Sequence, residues 1–435
     1  MTQPAFDVII IGAGAAGLFA ALTAAGRGRK VLLLEKNRRA GVKILMSGGT
    51  RCNLTNARGL RRLEGISGPI DPAVGVSICQ GVRAIQAAFE GEAGRFLGPA
   101  LKAFDVDKTI GWFEAAGLGT KVEANGKIFP TSDRATDVLD VLLRAVRQSG
   151  ASLITNQAMK AVRWVEEAGL FEVQTQTETF QAPRVVLATG GKSYPGSGTT
   201  GDGYAVAAGF GHSIVPPRPA LVPVRVNAGW VNELKGLTLP DVLVKVLDAG
   251  QKVVDERREA VLFAHFGLTG PAILDISRLP ARAEDLAGWS IDLDLMPDQK
   301  PEQIEADFIA RSRQGRIGVA RLLPEELPAR LREHLLEKAG IPPGLLAAEL
   351  SKERRRALLN ALKSLRLPLA GTLGFEKAEV TSGGVALAEV DPKTLESRLR
   401  PGLYLIGEVL DIDGRIGGYN FQAAWSMGHL AGSVV

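Results

Sequence analysis

At 435 residues the chain is too long for one ordinary hydrophobic core and points to more than one packed unit. Hydrophobic residues make up 46% and charged residues 23%, which excludes a disordered or fibrous chain. Net charge is +5 with a pI of about 9.2, which permits an anionic partner such as a dinucleotide, a phosphorylated substrate or RNA. The basic residues are dispersed, however. The densest run, Lys352-Glu353-Arg354-Arg355-Arg356, reads as the solvated face of a helix, so a small-molecule substrate is expected rather than a nucleic acid. Only Cys52 and Cys79 are present, with no CxxC. The histidines His212, His265, His334 and His429 stand at no metal-ligand spacing. A disulfide framework and a metal site are therefore not expected, and the compartment reads as reducing and cytoplasmic.

Residues 6–11 (FDVIII) are short, apolar and β-branched, as in a buried parallel strand. A small-residue helix is expected over 15–26 and a second buried strand over 30–34, giving a βαβ unit with a right-handed crossover. The stretch Ile9 to Gly26 carries no charge and is long enough for a membrane span. It is preceded by Asp7 and broken by Gly12, Gly14 and Gly17, so neither a span nor a signal peptide is expected. Residues 54–100 read as irregular. Helices are expected over 107–117 and 134–149, and strands over 151–155, 159–165, 170–175 and 184–189. Short β-like runs follow at 222–226, 242–248, 251–254 and 290–295. Helical patterns occupy 299–366, notably 326–339 and 345–365. A buried strand returns at 403–407, and a small-residue helix closes the chain over 417–434. Sheet-type chemistry thus sits at both ends, with a β unit and a helical unit inserted between them.

The chemistry begins at Gly12-x-Gly14-x-x-Gly17, which follows a strand and opens a helix, with Glu35 eighteen positions after Gly17 at the end of the next strand. This is the dinucleotide fingerprint. Gly12 permits the tight turn, Gly14 lets backbone approach a pyrophosphate, and Gly17 lets helix and strand pack closely. The helix N-terminus offers free N–H groups and partial positive charge to the phosphates, and Glu35 is the acceptor for ribose hydroxyls. The fingerprint alone does not separate FAD from NAD. Two more strand-end turns do: Ala188-Thr189-Gly190-Gly191 and Gly407-Glu408 both resemble turns of two-dinucleotide flavoproteins. The helix that begins near Gly418-Tyr419-Asn420-Phe421-Gln422 would aim its N-terminus at the flavin pyrimidine edge. A second formal G-x-G-x-x-G, Gly196 to Gly201, does not directly follow a strand and reads as a loop before a helix over 203–209, so no separate NAD(P)H domain is expected.

The segment 41–56, GVKILMSGGTRCNLTN, carries a specific resemblance. It resembles a segment of bacterial NAD(P)/FAD-dependent oxidoreductases of the YhiN-like, aminoacetone-oxidase-like family. Residues 126–130 (GKIFP), 189–204 (TGGKSYPGSGTTGDGY), 263–271 (FAHFGLTGP) and 407–422 (GEVLDIDGRIGGYNFQ) resemble further segments of that family. Thr50 departs from the pattern, standing where the family has the third glycine of S-G-G-G. Lys127, Ala264 and Thr269 are milder departures.

The resemblance implies an α/β fold. A two-part Rossmann-like FAD-binding domain (1–191 and 372–435) would carry an inserted β-barrel (192–298 with 367–371) and a helical bundle (299–366). The expected cofactor-binding residues are Gly12, Ala13, Gly14, Ala15, Ala16 and Gly17; Glu35 and Lys36; Lys43, Ser47, Gly48, Gly49, Arg51, Cys52 and Asn53; Met159; Thr189, Gly190 and Gly191; Gly407 and Glu408; and Gly418, Asn420, Phe421 and Gln422. Lys43 and Arg51 would bring positive charge to the flavin and its phosphates. Cys52, with no second cysteine nearby, reads as a packed thiol and not half of a redox pair.

His265, in a Gly-rich loop, is the acid/base candidate, with a loop-bracing histidine as the alternative reading. Tyr419 is the second catalytic candidate. The expected function is FAD-dependent electron transfer from NAD(P)H or a small organic donor, through flavin N5, to a small-molecule acceptor or oxygen. A flavin-dependent RNA-modifying enzyme and a non-catalytic flavin-binding redox sensor are the alternatives.

Overall fold

A computed structural model describes residues 5–435, which divide into two compact units. The first runs to Pro219 and resumes at Glu379; the second spans Ala220–Ala378. Residues 192–219 thus lie in the first unit and 372–378 in the second, shifting the boundaries read from the sequence. The reason is local: after the 190–191 turn the chain forms a short helix, Asp202–Gly209, beside the first unit's own loops before it leaves.

The first unit is built on a five-stranded parallel sheet. Its order is Leu403–Leu405, Val185–Leu187, β1 (Val8–Ile11), β2 (Val31–Leu34) and Ser152–Ile154. Ile9 pairs with Val185 on one side and Leu32 on the other. β1 and β2 are buried along their whole length, which is why they read as continuous apolar runs without alternation.

Helix α1 (Ala15–Gly26) is small-residue because it meets the C-terminal helix Tyr419–Val434 at backbone distance. A Cβ on Gly428 would lie 2.4 Å from the Ala16 carbonyl oxygen, and one on Gly432 would lie 2.6 Å from that of Ala20. The apolar stretch from Ile9 is therefore core. Among the described residues no helix is long and apolar enough to cross a membrane.

Besides a two-stranded pairing of Ile214–Ala220 with Val380–Val385, the unit holds two smaller antiparallel sheets. One joins Met159–Val165, Leu170–Thr175 and Thr179–Ala182; the other joins Thr55–Asn56, Lys127–Pro130 and Thr120–Val122. The stretch 54–100, read as irregular, contains the short helices Val82–Gln86, Ala93–Phe96 and Gly98–Ala103.

The second unit is a closed six-stranded barrel with helices. Its strands run Val224–Val226, Gly267–Thr269, Val253–Ala264, Thr238–Leu247, Ser290–Asp294 and Leu365–Thr372, and the last pairs back to the first. The β-like runs at 242–248 and 251–254 are parts of one long hairpin. The charged stretch Asp255 to Glu259 hides half of it from an apolar scan, yet it is sheet, with Glu256 opposite Lys245. Helices Pro301–Ser312, Ala329–Lys338 and Lys352–Lys363 share a core with the barrel.

Candidate functional site

The site in the first unit is built where three parallel strands end. After β1 the chain turns at Gly12, whose φ is +105° and whose Cβ would strike the Ala188 carbonyl oxygen at 2.4 Å. Only glycine fits there. Gly14 is the N-cap of α1 with no side-chain hydrogen bond to the helix, and a Cβ there would meet nothing within 4 Å. Gly17 faces the Gly12 carbonyl oxygen, 1.9 Å from where its Cβ would be. The N–H groups of Ala15 and Ala16 therefore lie at an uncapped helix start beside open space, a fit for a diphosphate.

Glu35, at the end of β2, is buried. One of its oxygens accepts the Ala13 N–H at 3.0 Å and the other the Asn37 N–H at 2.8 Å, so it fixes the glycine loop through its own carboxylate. Each oxygen keeps a lone pair for a ribose hydroxyl. The Lys36 ammonium is engaged by Thr200 and Asp202, and the Asn37 amide donates to the Ser197 carbonyl at 2.9 Å. The second glycine-rich loop is thereby strapped to the residues after β2 and forms no dinucleotide fold of its own.

Helix α2 (Val42–Thr50) breaks at Ser47, where ψ swings to 152°, and Gly48, Gly49 and Thr50 follow with φ of 55°, 66° and 68°. Gly48 and Gly49 are exposed there. Arg51 does not present a free charge: its guanidinium lies 3.9 Å from the centre of the Phe129 ring and pairs with Glu123 and Asp133. Cys52 is fully buried, and burial pushes its thiol up to about 12. It is a packed thiol that reaches no ligand.

Asn53 is oriented by its network: its amide nitrogen donates to the Thr55 carbonyl at 2.9 Å and its oxygen accepts the Gly418 N–H at 2.9 Å. This ties the 41–56 segment to the start of the C-terminal helix. Asn420 closes the preceding loop by accepting the Gly414 N–H at 2.8 Å, and Phe421 stacks on Trp425. Gln422 is wholly buried. Its oxygen accepts the Thr55 hydroxyl at 2.7 Å and its nitrogen donates to Thr109 at 2.9 Å, so it braces the interior and is not a cofactor contact. Met159 starts an antiparallel strand, half-buried against the core.

At the second strand end, Gly190 has φ +71° and the Thr189 hydroxyl is buried without a partner. At the third, Gly407 has φ +72°, and a Cβ there would lie 3.2 Å from the Ala16 Cβ, over the first turn of α1. Glu408 follows and gathers Lys43, Ser193 and the Thr381 N–H. Ser193 and Thr381 were missed by sequence reasoning. Ser193 lies inside the 189–204 segment already singled out, whereas Thr381 has no local signal. Tyr204 was also missed: it is buried, and burial together with Glu408 and Asp411 raises its hydroxyl well above the ordinary tyrosine range.

Of the two catalytic candidates, Tyr419 is a buried first residue of the C-terminal helix in the first unit. His265 belongs to the second unit, exposed at the tight turn between strands Val253–Ala264 and Gly267–Thr269, edge-on to Phe266.

A parallel sheet whose first helix opens on an uncapped glycine turn, with an acid ending the next strand and two further Gly turns beside it, defines a Rossmann-type FAD-dependent oxidoreductase. The chain belongs to the HI0933-like Rossmann-domain protein family, whose model matches residues 6–66 and 78–434. The relatives match over nearly their whole length. A 3-dehydro-bile acid delta(4,6)-reductase of Clostridium scindens is 32% identical, over 97% of each chain. A ribosomal RNA dihydrouridine synthase of Escherichia coli is 34% identical, over 97% of this chain and 96% of the relative. Its Haemophilus influenzae counterpart is 33% identical, over 96% and 95%.

Proposed function

We propose that this flavoenzyme reduces a carbon–carbon double bond conjugated to a carbonyl, with NAD(P)H as the source of electrons, in the cytoplasm. One observation carries the reading: relatives with different substrates share one chemistry. One name describes reduction of ring double bonds in a 3-oxo steroid acid. The other describes formation of dihydrouridine, which is uridine with hydrogen added across the double bond next to a ring carbonyl. Both add two hydrogens across a carbon–carbon double bond conjugated to a carbonyl; for an α,β bond that would place hydride on the β carbon and a proton on the α carbon.

FAD, when bound, supplies the hydride from N5. The chain's part is to hold the diphosphate at the start of α1, to fix the loop through Glu35, and to provide a proton donor. The exposed His265 is the residue proposed for that proton, because an imidazole exchanges protons near neutral pH.

Of the two substrate kinds, uracil in RNA is favoured here. The net charge is +5, and on helix Lys352–Lys363 the side chains of Lys352, Arg354 and Arg356 are exposed, while Arg355 is held by Glu305. The run first read as a solvated face is then a phosphate-contacting one.

The test is anaerobic. The holoenzyme is reduced with NADPH and mixed separately with unmodified ribosomal RNA and with a steroid 4-en-3-one. Flavin reoxidation by RNA, with one uracil gaining two hydrogens by mass spectrometry, supports the RNA reading. Reoxidation by the enone alone assigns a small-molecule alkene. Reoxidation by neither sinks the proposal.

A further inference from the structure

We propose that Lys43 is a positioning residue whose ammonium is the dedicated counter-charge of Glu408, so that the pair presents no net charge to the FAD diphosphate. The sequence alone would assign Lys43 to the phosphates directly. The geometry points elsewhere. The Lys43 Nζ donates to Glu408 Oε2 at 2.8 Å and to the Ser193 hydroxyl at 2.6 Å. Ser193 in turn donates to Glu408 Oε1 at 2.8 Å, and the Thr381 N–H donates to the same oxygen at 2.8 Å. The Thr381 hydroxyl then accepts the N–H groups of Lys192 and Ser193, at 2.8 and 3.0 Å, which locks the turn that carries Ser193. The carboxylate has three donors, and two of the three ammonium hydrogens are committed. Both side chains are mostly out of water, at 30% and 19% exposure, so their attraction is little screened.

Glu408 needs such a partner because of where it sits. Gly407 lies over Ala16, in the first turn of α1, and a Cβ on Gly191 would come 2.9 Å from Glu408 Oε1. That is the end of the helix where a diphosphate is held. Two further groups act here, neither of them cationic: Tyr204 approaches from helix Asp202–Gly209 with a buried neutral hydroxyl, and Asp411, acting on the same tyrosine, is acidic. An unpaired carboxylate there would repel the diphosphate. A paired one is electrically silent and stays available as a hydrogen-bond acceptor. The inference rests on FAD binding, not on which alkene is reduced, so its failure leaves that reading standing.

The test is a double-mutant cycle on FAD affinity. Purified holo chains of wild type, K43M, E408Q and K43M/E408Q are diluted in series, and released FAD is read by its fluorescence. We expect K43M to weaken FAD binding by about tenfold, consistent with one uncompensated charge in a partly desolvated site. E408Q is expected to bind as tightly as wild type or more tightly, and the double variant to return to within about threefold of wild type. Circular dichroism melts accompany each variant. If K43M does not fold, E408Q and the double variant carry the test alone. A double variant that binds FAD more weakly than either single variant overturns the proposal, because Lys43 and Glu408 would then each contact FAD independently.

Discussion

Gly17 and Gly12 face each other across the first turn of the glycine loop so closely that a methyl group on Gly17 would sit 1.9 Å from the Gly12 carbonyl oxygen. Gly14, between them, has open space on the same test. The glycines of one motif therefore do separate jobs, and substitution can tell them apart. Gly17→Ala must push helix from strand and is expected to destabilise the chain by about 3 kcal/mol, an overpacking cost at backbone. Gly14→Ala has room and an ordinary φ of −81°, so its stability should stay within about 1 kcal/mol of wild type. Its methyl group instead enters the space meant for the diphosphate, and FAD affinity should drop sharply. Urea unfolding of both chains beside FAD titrations checks this. Equal losses of stability would contradict it.

Cys52 is fully enclosed and its thiol is pushed up to about 12, mainly by burial, with Ser47 opposing slightly. A thiol so held is almost entirely protonated at pH 8 and is no nucleophile. Cys79 is only partly buried. Titration of the native chain with a disulfide reagent should release one equivalent at once and the second only after denaturant. The linkage has a definite sign. The folded state holds its proton more tightly than the unfolded one, so this contribution to stability is complete below the unfolded thiol's range and fades as pH rises toward about 12. Cys52→Ala should leave the rate of flavin reduction unchanged; a large loss would restore a redox role.

How far the sequence could be read depended on distance along the chain. The strand, glycine turn, helix and acid from Val8 to Glu35 are legible because their spacing and composition are local. Asn53 and Gln422 look alike in a motif, yet one ties the 41–56 segment to Gly418 while the other is sealed inside against Thr55 and Thr109. Burial of that kind is a tertiary property. The Glu408 cluster was half visible: Lys43 and Glu408 could be named singly, but they lie 365 residues apart, and nothing local says that they meet. The Asp255–Glu259 stretch was obscured for the opposite reason: it is charged on both faces and none of its residues is buried, so it shows no apolar alternation although it pairs along its length with the preceding strand.

Thr50 stands at φ +68°, immediately after two left-handed glycines, and is exposed. A β-branched residue is strained there. Its hydroxyl bond to the Gly49 carbonyl, at 2.6 Å, offsets part of the strain. Replacing it with glycine gains relief but adds unfolded-state entropy, leaving a net stabilisation of about 1 kcal/mol. The denaturation midpoint should rise accordingly, while Thr50→Val, which keeps the branching and loses the hydroxyl, should lower it. A lower midpoint for the glycine variant would show that the left-handed turn is not strained.

His265 is exposed at a hairpin tip, so His265→Gln should change stability by no more than about 0.5 kcal/mol. Kinetic effects can then be assigned to chemistry and not to folding. If its imidazole gives the proton to the α carbon, only the second half of the cycle needs it. Anaerobic reduction of the flavin by NADPH should proceed at the wild-type rate. Reoxidation by the alkene should slow by about 10² to 10⁴, the usual share of a positioned general acid. The split matters more than the size. A histidine that only braces its loop would leave both half-reactions near wild type, and one that holds the nicotinamide would slow the first. Stopped-flow traces at 450 nm (about the flavin absorption maximum) on the two half-reactions separate these outcomes.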